Sequence, residues 1–434
     1  MVRLPSSALL FASSALPSTL AADSGPDLRH LGGLGPYTSH ESMGIDSGTP
    51  DGCKVDQVIM YSRHGERYPD TGDYDRMKKI VDKLKEDDGL SGPLEFIKDY
   101  DFFMEKDKSG LLTENGRYAG ETELKNLGKS YNEKYGDLVG DIDKLNIFAT
   151  DMDRVYKSAN NFAEGFFGSD WQSKANVLQL KESGDPMNSL TPEVNCRDQF
   201  TGEHKPNGEY KEKQFKSIAD RLKEHTSVDL STSDVESLML MCPFELNAKG
   251  ESDFCGIFES DEWKKFEYSR DLNMYYDYPV YKAGIAAGAV LTNASKTLMK
   301  DGPENVGGLF FEFTHDAVLT EIYTALNIFM PDEKLPGDEE PENNPFQISQ
   351  ISPMLGHITL ERLSCDGHGE PYVRVNVNDA YVPFHDCTSG PGQSCPLDEY
   401  EDILDDRFVS FQDLCGMKDG YTYYTDVFWK NKNV

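Results

Sequence analysis

The sequence is poor in positive charge. Its 434 residues carry 43 Lys and Arg against 76 Asp and Glu, which gives a formal net charge of −33. This deficit argues against nucleic-acid binding, because the phosphate backbone is held by clustered basic side chains. It argues equally against binding to an anionic membrane surface. We therefore expect neither nucleic acid nor a membrane as a partner.

Long apolar runs are also missing beyond the N-terminus, where no segment approaches the about 18 residues of a membrane-spanning helix. The first 22 residues contain one Arg, then small and apolar residues up to Ala21-Ala22. This pattern is typical of a secretory signal peptide, which we predict over 1–22. We expect the mature protein to be secreted or retained in the cell wall. The oligomeric state stays open, with a homo-oligomer among the alternatives.

The eight cysteines include no Cys-x-x-Cys pair, and only nine histidines are present, so a metal site has little support. An even number of cysteines behind a secretory leader favours disulfides instead. Spacing favours only the two short loops, Cys242 to Cys255 and Cys387 to Cys395. One N-glycosylation sequence is present, with Asn293 as the acceptor.

Strand-like and helix-like patterns alternate at both ends of the chain. Strand candidates lie at 55–62, 145–150, 177–180, 308–314, 357–363 and 372–384, the last interrupted by an Asn378-Asp379 turn signal. Helical patterns lie between them, and 200–300 is mostly helical and highly charged. The sequence therefore predicts an α/β fold with a smaller helical insertion domain.

The domain boundaries follow from this alternation. Residues 23–50, rich in Gly, Ser and Pro, are predicted to form an extended N-terminal arm. The α/β domain is expected over 51–75, 136–195 and 300–434. The helical insertion domain is expected over 76–135 and 196–299.

Three charged clusters follow strand candidates. They are the motif Arg-His-Gly-Glu-Arg-Tyr-Pro from Arg63 to Pro69, the pair Asp153-Arg154, and the pair His315-Asp316. Ligands of open α/β sheets bind at the carboxyl ends of the strands, so we expect the three clusters to face one pocket. The arginines suit a tetrahedral oxyanion such as phosphate, while the histidines and Asp316 supply a nucleophile and a proton source.

Each cluster alone has a simpler explanation. Arg-His-Gly occurs by chance in many proteins, Arg154 alone suits a surface position on an early helical turn, and His-Asp pairs are common on surfaces. The full seven-residue motif after an apolar strand is much more specific. Its coincidence with a second post-strand pair, His315-Asp316, favours a catalytic phosphate site.

On these motifs the chain resembles the histidine acid phosphatases, specifically the secreted fungal branch of yeast acid phosphatases and phytases. The resemblance extends over nearly the whole chain after the leader, including 31–37, 63–69, 154–166, 188–196, 242–276, 315–316 and 373–387. It implies a phosphoglycerate-mutase-like fold, a central mixed sheet flanked by helices. It also implies hydrolysis of small phosphate monoesters, with phytate as a further candidate substrate.

The resemblance also implies a role for each site residue. His64 is expected to be the nucleophile that takes up the phosphoryl group, and Asp316 the acid that protonates the leaving alcohol. The phosphate is expected to be held by Arg63, Arg67, Arg154 and His315. No metal and no cofactor are implied.

These roles predict an acidic optimum. His64 must be unprotonated at its attacking nitrogen, and neighbouring arginines should lower its pKa. Asp316 must be protonated, and a bound phosphate should raise its pKa. We expect activity to rise from neutral pH toward about pH 4–5.

The resemblance further implies four disulfides: Cys53–Cys365, Cys196–Cys415, Cys242–Cys255 and Cys387–Cys395. One position departs from the family pattern, because Asp70 stands where Thr often follows the motif proline. An additional carboxylate at this position is expected to disfavour very anionic substrates.

Three other interpretations remain open from the sequence. Arg63-His64-Gly65-Glu66 also opens the motif of cofactor-dependent phosphoglycerate mutases, although Arg67, Pro69 and the leader argue against them. A non-catalytic phosphate-binding protein is the alternative of a different class. A metallophosphatase is the third, although the sequence contains no Asp and His cluster with two-metal spacing.

Overall fold

The computed structural model describes residues 27–40, 44–45, 48–184, 189–417 and 423–431. The predicted leader at 1–22 and residue Asn188 of the resembling segments lie outside these ranges. Across the described residues, no helix is long and apolar enough to cross a membrane.

A mixed sheet of eight strands forms the centre of the described part of the chain. The strands are β1 Cys53–Arg63, β2 Leu145–Thr150, β3 Ala175–Leu180, β4 Leu309–Thr314, β5 His357–Cys365, β6 Tyr372–Val377, β7 Ala380–Tyr381 and β8 Cys395–Pro396. Their order is β3-β2-β4-β1-β5-β6-β7, and β8 pairs with β6. The prediction of a central mixed sheet is confirmed.

The parallel part of the sheet contains β3, β2, β4 and β1. All six residues of β4 are buried, as are the last seven of β1. Such strands have helices on both faces, which explains their continuous apolar runs. The remaining strands add antiparallel pairs beyond β1.

Thirteen α-helices lie in the described ranges. They are α1 Thr71–Lys85, α2 Gly120–Tyr135, α3 Asp153–Phe167, α4 Asn207–Leu222, α5 Thr232–Lys249, α6 Ser260–Asp277, α7 Lys282–Asp301, α8 Pro303–Val306, α9 Asp316–Leu326, α10 Ile348–Ile351, α11 Leu397–Asp406, α12 Phe411–Leu414 and α13 Val427–Lys430. The short C-terminal helices had no counterpart among the sequence predictions.

The helices form two layers on the sheet and one separate group. Helices α2 and α3 share a core with β1, β2 and β4, whereas α7 and α9 contribute to the core that also includes β5 and β6. Helices α1, α4 and α5 belong to a separate apolar cluster that excludes the strands. The helical group is therefore stabilised by its own core.

This packing moves two helices across the predicted domain boundaries. Helix α2 lies within the segment 76–135, yet Leu124 and Tyr131 pack with Met60 of β1. Most of helix α7 lies within 196–299, yet Leu291 and Leu298 share the sheet core. Both helices have apolar residues on one face, and the sequence does not show which apolar surface such a face covers.

The predicted N-terminal arm is not a solvent-exposed segment where the structure describes it. Residues 31–36 are buried. The Gly32 amide donates to Glu267 Oε2 at 2.6 Å, and the Gly33 amide donates to Ser349 Oγ at 2.7 Å. Glycines here give the backbone close access, because a Cβ on Gly33 would lie 3.2 Å from Ile348. The arm is thus fixed against α6 and α10.

The eight cysteines form four disulfides, Cys53–Cys365, Cys196–Cys415, Cys242–Cys255 and Cys387–Cys395, and none is free. These are the four pairs that the resemblance implied. They are typical of a secreted protein.

The predicted glycosylation site requires a correction. Asn293 lies in the middle of α7 and is only 6% exposed, and Ser295 is fully buried. A glycan on this side chain would have to pass through the packed contact between α7 and its neighbours. The folded structure therefore does not accommodate a glycan at Asn293.

Candidate active site

The parallel strands bring the three predicted clusters to one edge of the sheet. Arg63 is the last residue of β1 and pairs in register with Thr314, the last residue of β4. His315 lies between β4 and α9, and Arg154 is the second residue of α3, which follows β2. Parallel strands end at the same edge, so their following residues meet there.

His64 is buried with one ring nitrogen already bonded. It is 2% exposed, and its Nδ1 lies 2.9 Å from the Gly65 carbonyl oxygen. A carbonyl only accepts, so Nδ1 carries the proton and Nε2 keeps its lone pair. Burial lowers the pKa of His64 well below its ordinary value, and Arg154 and Arg63 lower it further. His64 is therefore a neutral imidazole in a cationic surrounding, with the lone pair of Nε2 available.

The loop after β1 is pinned onto the neighbouring helices. The Gly65 amide donates to Ser158 Oγ of α3 at 3.1 Å. A Cβ on Gly65 would lie 2.8 Å from the Leu124 side chain and 3.2 Å from the Gly120 carbonyl oxygen of α2, so glycine suits this close approach. These contacts hold the residue next to His64 in place.

Arg63 is almost fully buried and is oriented by two backbone carbonyls. Its Nη1 donates to the oxygens of Gly33 at 2.6 Å and Ser352 at 2.8 Å. Its Nη2 pairs with Asp316 Oδ2 at 2.7 Å. Burial lowers the pKa of Arg63 to about 10, so it stays cationic at any working pH near or below neutral. The arm thus positions the first arginine of the site.

Arg67 and Arg154 share a carboxylate. Asp70 Oδ2 lies 3.0 Å from Arg67 Nη2, and Asp70 Oδ1 lies 3.7 Å from Arg154 Nη1. The Nε atoms of Arg63, Arg67 and Arg154 are buried and have no hydrogen-bond partner among the described residues. Buried donors are normally bonded, so the arginines present more donors than the chain's own acceptors use. This donor surplus suits an oxyanion with several oxygens.

His315 faces His64 and has an acidic partner. The rings of His64 and His315 are 5.7 Å apart, and His315 Nε2 lies 2.6 Å from Glu182 Oε1. Burial raises the pKa of Glu182, but the hydrogen bond and charge of His315 lower it below its usual value overall. An ionised Glu182 therefore orients the ring of His315 through this hydrogen bond.

Asp316 occupies the first position of α9. Its Oδ1 accepts from the Ala317 amide at 3.0 Å, and its Oδ2 pairs with Arg63. Burial raises the pKa of Asp316, but Arg63, His315 and Arg67 lower it more, to about 2. Asp316 is therefore ionised in the substrate-free protein at the expected working pH.

All six predicted site residues lie in this one region, while three contributors had no counterpart in the sequence predictions. Glu182 lies two residues after the end of β3, so its position near the same sheet edge was a usable signal. The Gly33 and Ser352 carbonyls had no sequence signal, since any residue has a carbonyl. In the described ranges, no group of three or more His, Cys, Asp or Glu side chains is arranged to hold a metal ion.

Comparisons with known proteins identify the family of the chain. Residues 54–378 match the family model of the histidine phosphatase superfamily (branch 2). A phytase of Candida albicans is 34% identical over 98% of this chain and 94% of its own. An acid phosphatase of Komagataella pastoris is 33% identical over 93% of this chain and 89% of its own.

A solved structure extends the likeness to the fold. The crystal structure of the phytase from D. castellii superposes with a TM-score of 0.87 at 32% identity, covering 93% of this chain and 90% of that one. The family match spans most of the chain, both strands that carry the histidines and the loop of the seven-residue motif. The chain therefore belongs to branch 2 of the histidine phosphatase superfamily.

Proposed function

We propose that this protein is an acid phosphatase that hydrolyses phosphate monoesters, phytate included, through a phosphohistidine at His64. The observation that carries the proposal is the buried, neutral His64 beside three arginines with unpartnered donors. The related phytase and acid phosphatase support the substrate class. No observation on the site favours the non-catalytic alternative.

In the first step, His64 Nε2 attacks the phosphorus of the ester. A nitrogen–phosphorus bond forms while the bond from phosphorus to the leaving oxygen breaks. Arg63, Arg67 and Arg154 donate to the three non-bridging oxygens and neutralise their charge, with His315 as a further donor. Such preorganised charge is the main requirement of phosphoryl transfer.

The leaving oxygen takes its proton from Asp316. Substrate-free Asp316 is ionised because Arg63 pairs with it. A bound phosphate competes for Arg63 and places negative charge nearby, and both effects raise the pKa of Asp316. Below about pH 6 a phosphate monoester itself carries one proton, which can pass to Asp316 on binding. Acidic pH therefore supplies the protonated acid.

In the last step, water attacks the phosphorus of the phosphohistidine. The nitrogen–phosphorus bond breaks, Asp316 accepts a proton from the water, and inorganic phosphate leaves. Ester and water are consumed and alcohol and phosphate are formed, so the chain returns to its starting state. The described site residues supply every group that this sequence of steps uses.

The proposal is tested by the hydrolysis of p-nitrophenyl phosphate between pH 3 and 8. We expect the rate to rise from neutral pH toward about pH 4–5 and His64→Ala to reduce kcat by on the order of a thousandfold or more. His385→Ala is the matched control, because His385 is exposed and, among the described residues, its side chain bonds only to Asp386. A maximum above pH 7, or no hydrolysis by the folded wild type, would contradict the proposal.

We also propose that the protein is secreted, to the medium or to the cell wall. The four disulfides support this location, because such bonds persist mainly in oxidising compartments. Fractionation of cells followed by detection of the protein in medium, wall and cytosol tests it. Recovery in the cytosol with reduced cysteines would overturn it.

A further inference from the structure

The side chain of Asp70 does not cap the helix that it precedes. It is the N-cap residue of α1, where an Asp carboxylate commonly accepts from an amide of the first turn. Asp70 makes no such bond. Its carboxylate is turned instead toward Arg67 and Arg154, with one oxygen on each.

This carboxylate occupies donors that the substrate phosphate would use. Arg67 Nη2 and Arg154 Nη1 point at Asp70 at 3.0 Å and 3.7 Å. The longer distance is an ion pair beyond hydrogen-bond length, so one of the two contacts is loose. Gly110 lies at the same place, since a Cβ there would be 3.2 Å from Asp70 and 3.6 Å from Arg154. Asp70 thus lies at the rim of the arginine cluster.

The Asp70 carboxylate can also move away from the two arginines. Its side chain is 52% exposed, and its only charged partners in the described residues are the two arginines. Arg67 has a second anchor, because its Nη1 donates to the Tyr68 carbonyl at 2.9 Å. Displacing the carboxylate therefore releases two donors without removing the contact that orients Arg67.

We propose that Asp70 is an internal competitor for the phosphate site, a specificity-determining carboxylate that weakens the binding of phosphate and discriminates against multiply charged esters. This inference rests on the proposed function, since it assigns the arginines to phosphate. In the free protein Asp70 pairs with Arg67 and Arg154. In the complex its negative charge lies beside the bound phosphate and repels it.

Two consequences follow for substrates and product. A ligand with more negative charge is repelled more strongly, so phytate is disfavoured relative to a simple monoester. Inorganic phosphate, the product, is also held less tightly and leaves faster. Asp70 thus weakens phosphate binding and speeds product release. It changes KM and product inhibition rather than the rate of bond breaking.

Calorimetric titration of inorganic phosphate into the wild type and Asp70→Asn tests the proposal without turnover. Asn keeps the shape of the side chain and removes its charge. We expect Asp70→Asn to bind phosphate on the order of tenfold more tightly, because the substitution removes a like charge a few ångströms from the phosphate in a half-exposed site. Asp70→Ala should show the same direction.

Asp82→Asn is the matched control. Asp82 lies in the same helix, is 51% exposed and pairs with Lys78 at 2.6 Å, but it lies away from the arginines. The Asp82→Asn substitution removes the same formal charge as Asp70→Asn, so this variant reports the effect of net charge alone. We expect its affinity for phosphate to stay within twofold of the wild type. Thermal unfolding of all variants checks that each one folds.

Steady-state kinetics supply the second readout. Asp70→Asn should lower KM for phytate by a larger factor than KM for p-nitrophenyl phosphate, with kcat changed less than KM. Unchanged or weaker phosphate binding in Asp70→Asn, with wild-type hydrolysis intact, would overturn this inference alone, because Asp70 would then position the arginines. Wild-type protein that neither binds phosphate nor hydrolyses the ester would instead overturn the proposed function.

Discussion

Asp316 shows how one contact sets the charge of a residue before the substrate arrives. Its pairing with Arg63 at 2.7 Å keeps it ionised, with a pKa of about 2. The proposed mechanism needs a proton on this residue, so the proposal requires that Asp316 becomes protonated when phosphate engages Arg63. The residue that best fits the acid role is therefore prepared for it only in the complex.

Replacing Asp316 by Asn tests its proposed role as the proton donor. Asn keeps the bond from the Ala317 amide and cannot protonate a leaving oxygen. We expect kcat on alkyl phosphates to fall by about 10²–10⁴-fold. The fall on p-nitrophenyl phosphate should be much smaller, because its leaving group needs no proton. Comparison of the two substrates in one variant is its own control, and full activity on alkyl phosphates would refute the assignment.

Helices α2 and α3 illustrate how elements place the site. Gly128 of α2 lies against the Phe162 carbonyl, and Gly165 of α3 lies against the Lys125 carbonyl, too close for a Cβ at either position. The two glycines let the helix backbones touch. Helix α3 carries Arg154 at its start and Ser158 one turn later, so the helix contact sets the position of both.

Gly165→Ala tests this contact at the scale of elements. The added methyl meets backbone, so α3 must shift, and we expect a loss of about 1–3 kcal/mol of unfolding free energy. Arg154 moves with the helix, so KM should rise as well. Urea unfolding and p-nitrophenyl phosphate kinetics measure the two effects.

Gly208→Ala in α4 is the control for Gly165→Ala. A Cβ at Gly208 meets no atom within 4 Å. Alanine there should be neutral or stabilising by up to about 1 kcal/mol, because it favours the helix. A Gly165→Ala variant as stable as the Gly208→Ala variant would show that the close helix contact is not required.

Buried carboxyl groups are distributed through the whole molecule. Burial raises the pKa of six of them, to about 7 in Glu66 and Glu267, to about 8 in Glu193, and well above the ordinary value in Asp271, Glu312 and Glu321. The folded chain thus holds protons that the unfolded chain releases above about pH 4.3. Their contribution to stability is fully present below that pH and is lost as pH rises through the folded values.

Four histidines act in the opposite sense. Burial lowers the pKa of His30, His40, His64 and His357, so the unfolded chain takes up protons below about pH 6.5 that the folded chain does not. Their contribution is lost as pH falls. The carboxyl groups outnumber them, and acidification also reduces repulsion within a chain of charge −33. We expect the unfolding free energy to be larger at pH 5 than at pH 7.5.

Glu312→Gln isolates one of these groups. Glu312 lies in the middle of β4, is 0% exposed, and has no hydrogen-bond partner for either carboxyl oxygen in the described residues. Glutamine is neutral at every pH, so the variant should lose less stability between pH 5 and 7.5, by about 1–3 kcal/mol. Urea unfolding at both pH values measures it. Equal pH slopes in variant and wild type would show that Glu312 does not contribute.

Much of this architecture is local and readable from the residue pattern. The strand predicted over 145–150 coincides with β2, and the turn predicted at Asn378-Asp379 has both residues at positive φ. Alternation of apolar residues and the backbone freedom of Asn and Asp depend on near neighbours alone. The motif from Arg63 to Pro69 and the pair His315-Asp316 likewise indicated a phosphate site before any packing was known.

Other features depend on residues far apart in the chain. Arg63 is held by Gly33, 30 residues away, and by Ser352, 289 residues away, while His315 meets Glu182 across 133 residues. The packing of α2 and α7 against the sheet also depends on distant residues. So does the orientation of the Asp70 carboxylate toward Arg154. The main strands and the chemistry of the motifs follow from the residue pattern alone, because periodicity and motif chemistry are local. Which charges meet and which carbonyls accept a hydrogen bond depends on the folded chain, because burial and long-range packing determine both.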